Sequence, residues 1–249
     1  DQGSAAQQEH YLARLASESF VPATIALMEP RARFDATDIR TTARRDGDGY
    51  VLDGEKSMVI LGASAEFIVV VATVAGEGAA AFIVEKGAEG LQVTPEALMG
   101  LRAVEVSRIT LVGVQVPASA RVGEAEKQFD LERLVDLGRI GACALAVGTC
   151  QAVLDYVVPY VNDRVAFGEP ISHRQSVAFM VANIAIELDA MRLLTLRAAS
   201  RAEQGLPFHK EAYLARVLCA EKAMEIRTNG IQLLGGAGFL PEHPCELFY

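Results

Sequence analysis

The hydrophobic period changes once along this chain, near Pro117, and that change sets what it can fold into. Ahead of it lie "GYVLDGEKSMVILG", "EFIVVVATV", "AAAFIVEK", "LQVTP" and "RITLVGVQVP". Each is short, rich in Val or Ile, and bounded by Gly, Asp or Pro, as strands are. No helical stretch separates them, so an antiparallel barrel or sandwich is expected rather than a parallel α/β sheet. The Asp-Gly pairs of "RRDGDGYVLDGEK" suit a tight hairpin turn. Residues 1–20 do not fit this half; "AAQQEHYLARLASESF" reads as the tail of a helix entering it.

After Pro117 the pattern is helical. The run from Phe129 to Asp163 is rich in Ala, Leu and Val, and Pro159 is expected to kink or end it. From Gln175 to Gln204, Val177, Met180, Val181, Ile184, Leu188 and Met191 step by three or four along one face. The two methionines read as core. Gly205-Leu206-Pro207 stops that helix, and a third covers about 208–230, ending at "NGIQLLGGAGF". Long helices with short connections make an up-and-down bundle, here one member short of four. The expected class is α+β multidomain: residues 1–20 the end of a helical domain, 21–120 an antiparallel β-barrel domain, 121–249 an incomplete helical bundle. The abrupt finish at "PCELFY" suggests a fragment of a longer protein.

Function classes narrow with composition. Hydrophobic residues at 51% and charged ones at 22% mark a globular chain. A net charge of −9 argues against nucleic acid as a partner, and any anionic ligand must be held by local donors. Cys143, Cys150, Cys219 and Cys245 show no metal or disulfide spacing, so they are expected as free thiols in a reducing, cytoplasmic setting. The histidines (10, 173, 209 and 243) are scattered, and no metal is expected. No apolar run reads as a membrane span, and no signal segment opens the chain.

The segment "RVAFGEPISHRQ", Arg164 to Gln175, holds more than a turn needs. Gly168 and Pro170 supply turn chemistry. A fixed cation, an aromatic ring and an amide within twelve positions look placed for a ligand.

The order of these motifs resembles the acyl-CoA dehydrogenase family of flavoproteins. "ALMEP" followed by Asp35 is similar to its Ala-x-Thr-Glu-Pro strand entry, and "DGYVLDGEK" to its Asn-Gly-Glu-Lys hairpin. "GLR" at 100–102, "VQVPASARVGE", "RVAFGEPISHRQ" and "IQLLGGAGF" follow in the family's order. The resemblance covers essentially the whole chain. It implies FAD as cofactor, an acyl-CoA substrate, an electron-transfer flavoprotein as acceptor, and a homodimer or homotetramer. For the ADP half of FAD, bound mainly by a neighbouring subunit, it implies Arg164, Phe167, Gln175, Gln232, Gly235 and Gly236. At the flavin ring it implies Leu27, Met28, Met58 and Ile60. Toward the acyl-CoA it implies Phe34, Asp130 and Arg133.

Two departures stand out. The Thr or Ser that usually precedes Glu-Pro is Met28, its small tail is Arg31-Ala32-Arg33-Phe34, and the usual Trp-Ile-Thr is Met58-Val59-Ile60. Polar ring atoms would lose partners there, a costly loss in a buried site. The catalytic base in most members lies beyond the point matched by Tyr249, but "FDLERLV" resembles the minority with the base on the first bundle helix, which places it at Glu132. Glu132 and Arg133 also suit a solvated charge pair in a first helical turn. Two functions remain open: an FAD-dependent acyl-CoA dehydrogenase, and a non-catalytic subunit that completes a partner's FAD site in a hetero-oligomer.

Overall fold

The computed structural model describes residues 2–100, 103–123 and 128–244. Leu101 and Arg102 of the "GLR" motif, Glu124 of "VQVPASARVGE", and Cys245 lie outside the described residues. The chain forms two compact units, Asp1–Leu131 and Glu132–Tyr249.

The first unit is a curled sheet of β1 (Ala23–Ala26), β2 (Thr42–Asp46), β3 (Gly49–Ile60), β4 (Phe67–Val74), β5 (Gly78–Glu85), β6 (Leu91–Pro95) and β7 (Val106–Pro117). Alternation places Ile68, Val70, Ala72 and Val74 of β4 against Ala80, Phe82 and Val84 of β5 and Leu52, Ile109 and Leu111 beyond them. The expected antiparallel order needs one correction. β4 pairs in parallel with β1 and with β2, which share its free edge end to end. The turn from Asp46 to Gly49 is the expected hairpin. Residues 5–15 form a short helical stretch with a π turn over Gln8–Leu12. It covers the outer side of β4, where Tyr11 lies 4.8 Å from Phe67 and the Arg14 guanidinium 5.3 Å from the same ring.

The second unit holds α1 (Leu131–Asp163), α2 (Gln175–Glu203) and α3 (His209–Leu234). Its core joins Cys143, Cys150, Val153 and Val157 to Ile184, Leu188, Met191, Cys219 and Ile226. Met191 is buried in it and Met180 packs at its margin. Gly230 permits a close approach of α3 to α1, since a Cβ there would stand 2.5 Å from Val153 Cγ1. Two expectations are revised. Of the kink or end expected at Pro159, the end does not occur, since α1 runs on to Asp163; the carbonyl the proline frees, four residues back, belongs to exposed Asp155. Between α1 and α2 the chain makes a two-stranded hairpin, β8 (Val165–Ala166) and β9 (Glu169–Pro170). And against the expectation that no apolar run spans a membrane, α1 is long and apolar enough by length and composition to cross one, with 22% of that window buried.

Candidate functional site

At the end of α1, the Arg164 N–H donates to the Tyr160 carbonyl at 2.9 Å, and its own carbonyl accepts from Ile171 at 2.9 Å. Those bonds close the hairpin on the helix. At its tip Phe167 has φ 55° and Gly168 φ 85°, the two positive values that a tight primed turn requires. For Gly168 that is free; for an aromatic residue it costs about 1–3 kcal/mol, and such strain persists mostly at functional sites. The Phe167 ring is 96% exposed, with the Arg174 guanidinium 5.6 Å from its centre.

Facing this hairpin is the end of α3. Gly235 caps it with φ 60° and ψ −136°, a conformation essentially restricted to glycine. A Cβ added at Gly235 or Gly236 would meet nothing within 4 Å, so the backbone is bare to a ligand. Two cavities open here. One of about 730 Å³ is lined by Tyr160, Arg164, Phe167, Arg174, Gln232 and His243 among others. The other, about 720 Å³, shares Gln232, Gly235 and Gly236 and extends along Thr228 and Phe239.

The structure thus brings Arg164, Phe167, Gln232, Gly235 and Gly236 onto one cavity. Gln175 opens α2 between two lining residues, Arg174 and Ser176, but does not itself line the cavity. Among the described residues the Arg164 side chain has no hydrogen-bond or ion-pair partner, so its donors are available to a ligand. An open glycine backbone beside a guanidinium with no partner among the described residues fits the diphosphate of FAD. Arg174, His243 and Tyr160 escaped the sequence reading; only the packing of α1, the hairpin and the turn after α3 unites them.

In the first unit, Ser57 donates its N–H to the Met28 carbonyl at 2.9 Å, which lays the 27–31 segment beside β3. An irregularity between Lys56 and Val59 turns Met58 outward at φ 55°. Met28, Met58 and Ile60 are 40%, 42% and 49% exposed, an apolar surface, while Leu27 is half-buried. Phe34 is half-buried under the Arg31 guanidinium, 5.6 Å away. Below lies Glu29, whose carboxylate accepts from Lys56 Nζ at 3.1 Å, the Thr41 N–H and hydroxyl at 2.8 Å each, and the Arg40 N–H at 3.0 Å. Burial opposes its ionisation, but these donors win and hold the carboxyl at about 2. Burial pushes Lys56 down to about 8 against the pull of Glu29.

Glu132 sits in the first turn of α1 with its side chain 69% exposed, 3.5 Å from His209 Nδ1. The buried group there is Asp136, paired to Arg139 and to His209 Nδ1 at 2.8 Å each. Ligand atoms of Glu132, Asp136 and His209 lie within 4.8 Å of one another, but Arg139 already supplies the cation. Asp130 exchanges backbone bonds with the Gln2 amide at 2.7 and 3.0 Å, and Arg133 lies 5.5 Å from the Phe208 ring.

Residues 24–114 match the family model of the acyl-CoA dehydrogenase middle domain, and residues 130–249 that of the acyl-CoA dehydrogenase C-terminal domain. The chain is 37% identical to cyclohex-1-ene-1-carbonyl-CoA dehydrogenase of Geobacter metallireducens, over 98% of this chain and 66% of that protein. It is 34% identical to the mitochondrial short-chain specific acyl-CoA dehydrogenase of Mus musculus, over 99% and 61%. Butyryl-CoA dehydrogenase from Megasphaera elsdenii superposes with a TM-score of 0.90 at 32% identity, covering 99% of this chain and 66% of that one. The chain therefore spans about two thirds or less of the length of these relatives.

Proposed function

The chain belongs to the acyl-CoA dehydrogenase family, whose members are FAD-dependent, and we propose that it dehydrogenates an acyl-CoA thioester to trans-2-enoyl-CoA with FAD as the hydride acceptor. Arg164 gives a permanent fork of donors to the diphosphate, and Gly235 and Gly236 let the backbone approach it. Phe167 and Gln232 would hold the ADP half, and Gln175 would join them from its place between the lining residues Arg174 and Ser176. Met28, Met58 and Ile60 exclude water from the ring without hydrogen-bonding it. The α-proton goes to a carboxylate, either Glu132 or one beyond residue 249, and needs that group desolvated by substrate. The reading includes a homo-oligomer and an electron-transfer flavoprotein as acceptor. Asp130, Arg133 and Phe34 are its substrate-side residues.

The observation that carries it is the unengaged Arg164 beside the bare Gly235-Gly236 backbone. A charge-assisted bond is worth about 1.5–3 kcal/mol, so Arg164→Ala is expected to weaken FAD binding about 10- to 100-fold in a fluorescence titration of the full chain. Unchanged affinity would defeat the reading. The apolar ring-side surface of Met28, Met58 and Ile60 favours a second one, a subunit that donates only ADP-side contacts to a partner's FAD. One flavin per chain in the homo-oligomer, bleached by acyl-CoA, separates the first from the second.

A further inference from the structure

His243 belongs to none of the contacts assigned above, yet it lines the same cavity as Arg164, Arg174 and Gln232. Its placement is built. The Tyr156 hydroxyl lies 2.7 Å from its Nδ1, and its ring meets Tyr160 edge-on at 5.7 Å and Tyr156 at 6.1 Å. Tyr160 is itself tied to the Leu234 carbonyl at 3.2 Å, immediately before Gly235. The imidazole is half-buried and clamped between α1 and the turn that follows α3. With Nδ1 spent on Tyr156, Nε2 is the nitrogen left for a ligand.

We propose that His243 is a further binding residue of this cavity, donating from Nε2 to an organic diphosphate, with Tyr156 as its positioning residue. The proposal rests on the reading of the cavity as the diphosphate site. While the hydroxyl donates to Nδ1, the neutral ring carries its hydrogen on Nε2 and already donates. The charged and titratable groups around it among the described residues are Tyr156 and Tyr160 on α1, Arg164 beyond its end, Arg174 before α2, and Glu242 beside it in sequence. Arg174 is partly neutralised by Glu169 at 3.2 Å, which leaves room for a second donor.

The test uses the flavin-free full chain and two probes whose diphosphate diester does not titrate near neutrality, ADP-ribose and FAD. Calorimetry at pH 8 should show both probes binding wild type. His243→Gln keeps a neutral donor where Nε2 was, so its affinity should stay within about twofold of wild type. His243→Asn keeps only the Tyr156 contact, so it should bind about threefold to tenfold more weakly. Tyr156→Phe should fall between wild type and His243→Asn. If the Asn variant binds as wild type does, or the Gln variant binds as weakly as the Asn variant, the proposal is overturned. Should the Asn variant match wild type while Arg164→Ala weakens binding, only this inference fails. Should wild type bind neither probe, the diphosphate reading fails with it.

Discussion

Glu29 and Lys56 belonged to two separate sequence motifs, and nothing in either announced that they meet. Twenty-seven positions apart, they form an ion pair of 3.1 Å with side chains 4% and 0% exposed. The pairing became visible only when β3 and the 27–31 segment were laid side by side. It has a pH consequence. The Glu29 carboxyl titrates near 2 folded against 4.5 in the open chain, so its contribution to stability is complete above about 4.5. Protonation of the unfolded chain then erodes it as pH falls toward about 2. A urea midpoint measured from pH 6 to pH 2.5 should drop through this window. In Glu29→Gln the drop should be smaller, from a lower starting stability. Equal slopes would show that other carboxylates control acid unfolding. Single residues at the cavity behave alike: Arg164 and Gln232 stood in recognisable motifs, whereas His243 and Arg174 became site residues only through contacts across helices.

Elements were easier to read than their partners. The three long helices run over 131–163, 175–203 and 209–234, within a few residues of their apolar periodicity. Strands β3 to β7 followed from Val- and Ile-rich runs between Gly, Asp and Pro, whereas β1 and β2 carry no such run. Pairing was less legible, because strand alternation says which face is buried and not which neighbour a strand takes. That is why the parallel contacts of β4 with β1 and β2 were not anticipated. The hairpin β8–β9 was too short for any period to show. Helix-to-helix spacing has one sharp determinant, Gly230, set against Val153 with no room for a methyl group. Gly230→Ala gains helix propensity worth about 0.8–1.0 kcal/mol and yet forces α1 and α3 apart. Overpacking typically costs about 1–3 kcal/mol, so the net expectation is a loss of up to about 2 kcal/mol in urea unfolding. Val153→Ala in the same chain should recover part of it, since the two changes share one contact.

At the scale of the whole chain, charge and site pull in opposite directions. Lys and Arg number 23 against 32 Asp and Glu, a net of −9, while the cavity presents Arg164 and Arg174. A diphosphate approaching from afar meets the average field, which repels it; within a few ångströms it meets guanidinium groups, which hold it. Salt separates the two ranges. Screening length falls from about 30 Å at 0.01 M to about 8 Å at 0.15 M, so the distant repulsion is removed while the contact pair is only weakened. Stopped-flow mixing with FAD should therefore show an association rate that rises about twofold to fivefold over that range, and a dissociation rate that rises too. Arg164→Ala should abolish most of the salt response of dissociation and leave that of association in place. An association rate that falls with salt would mean that local cations dominate the approach as well as the grip. The negative balance of this chain would then play no part in how an anionic cofactor arrives.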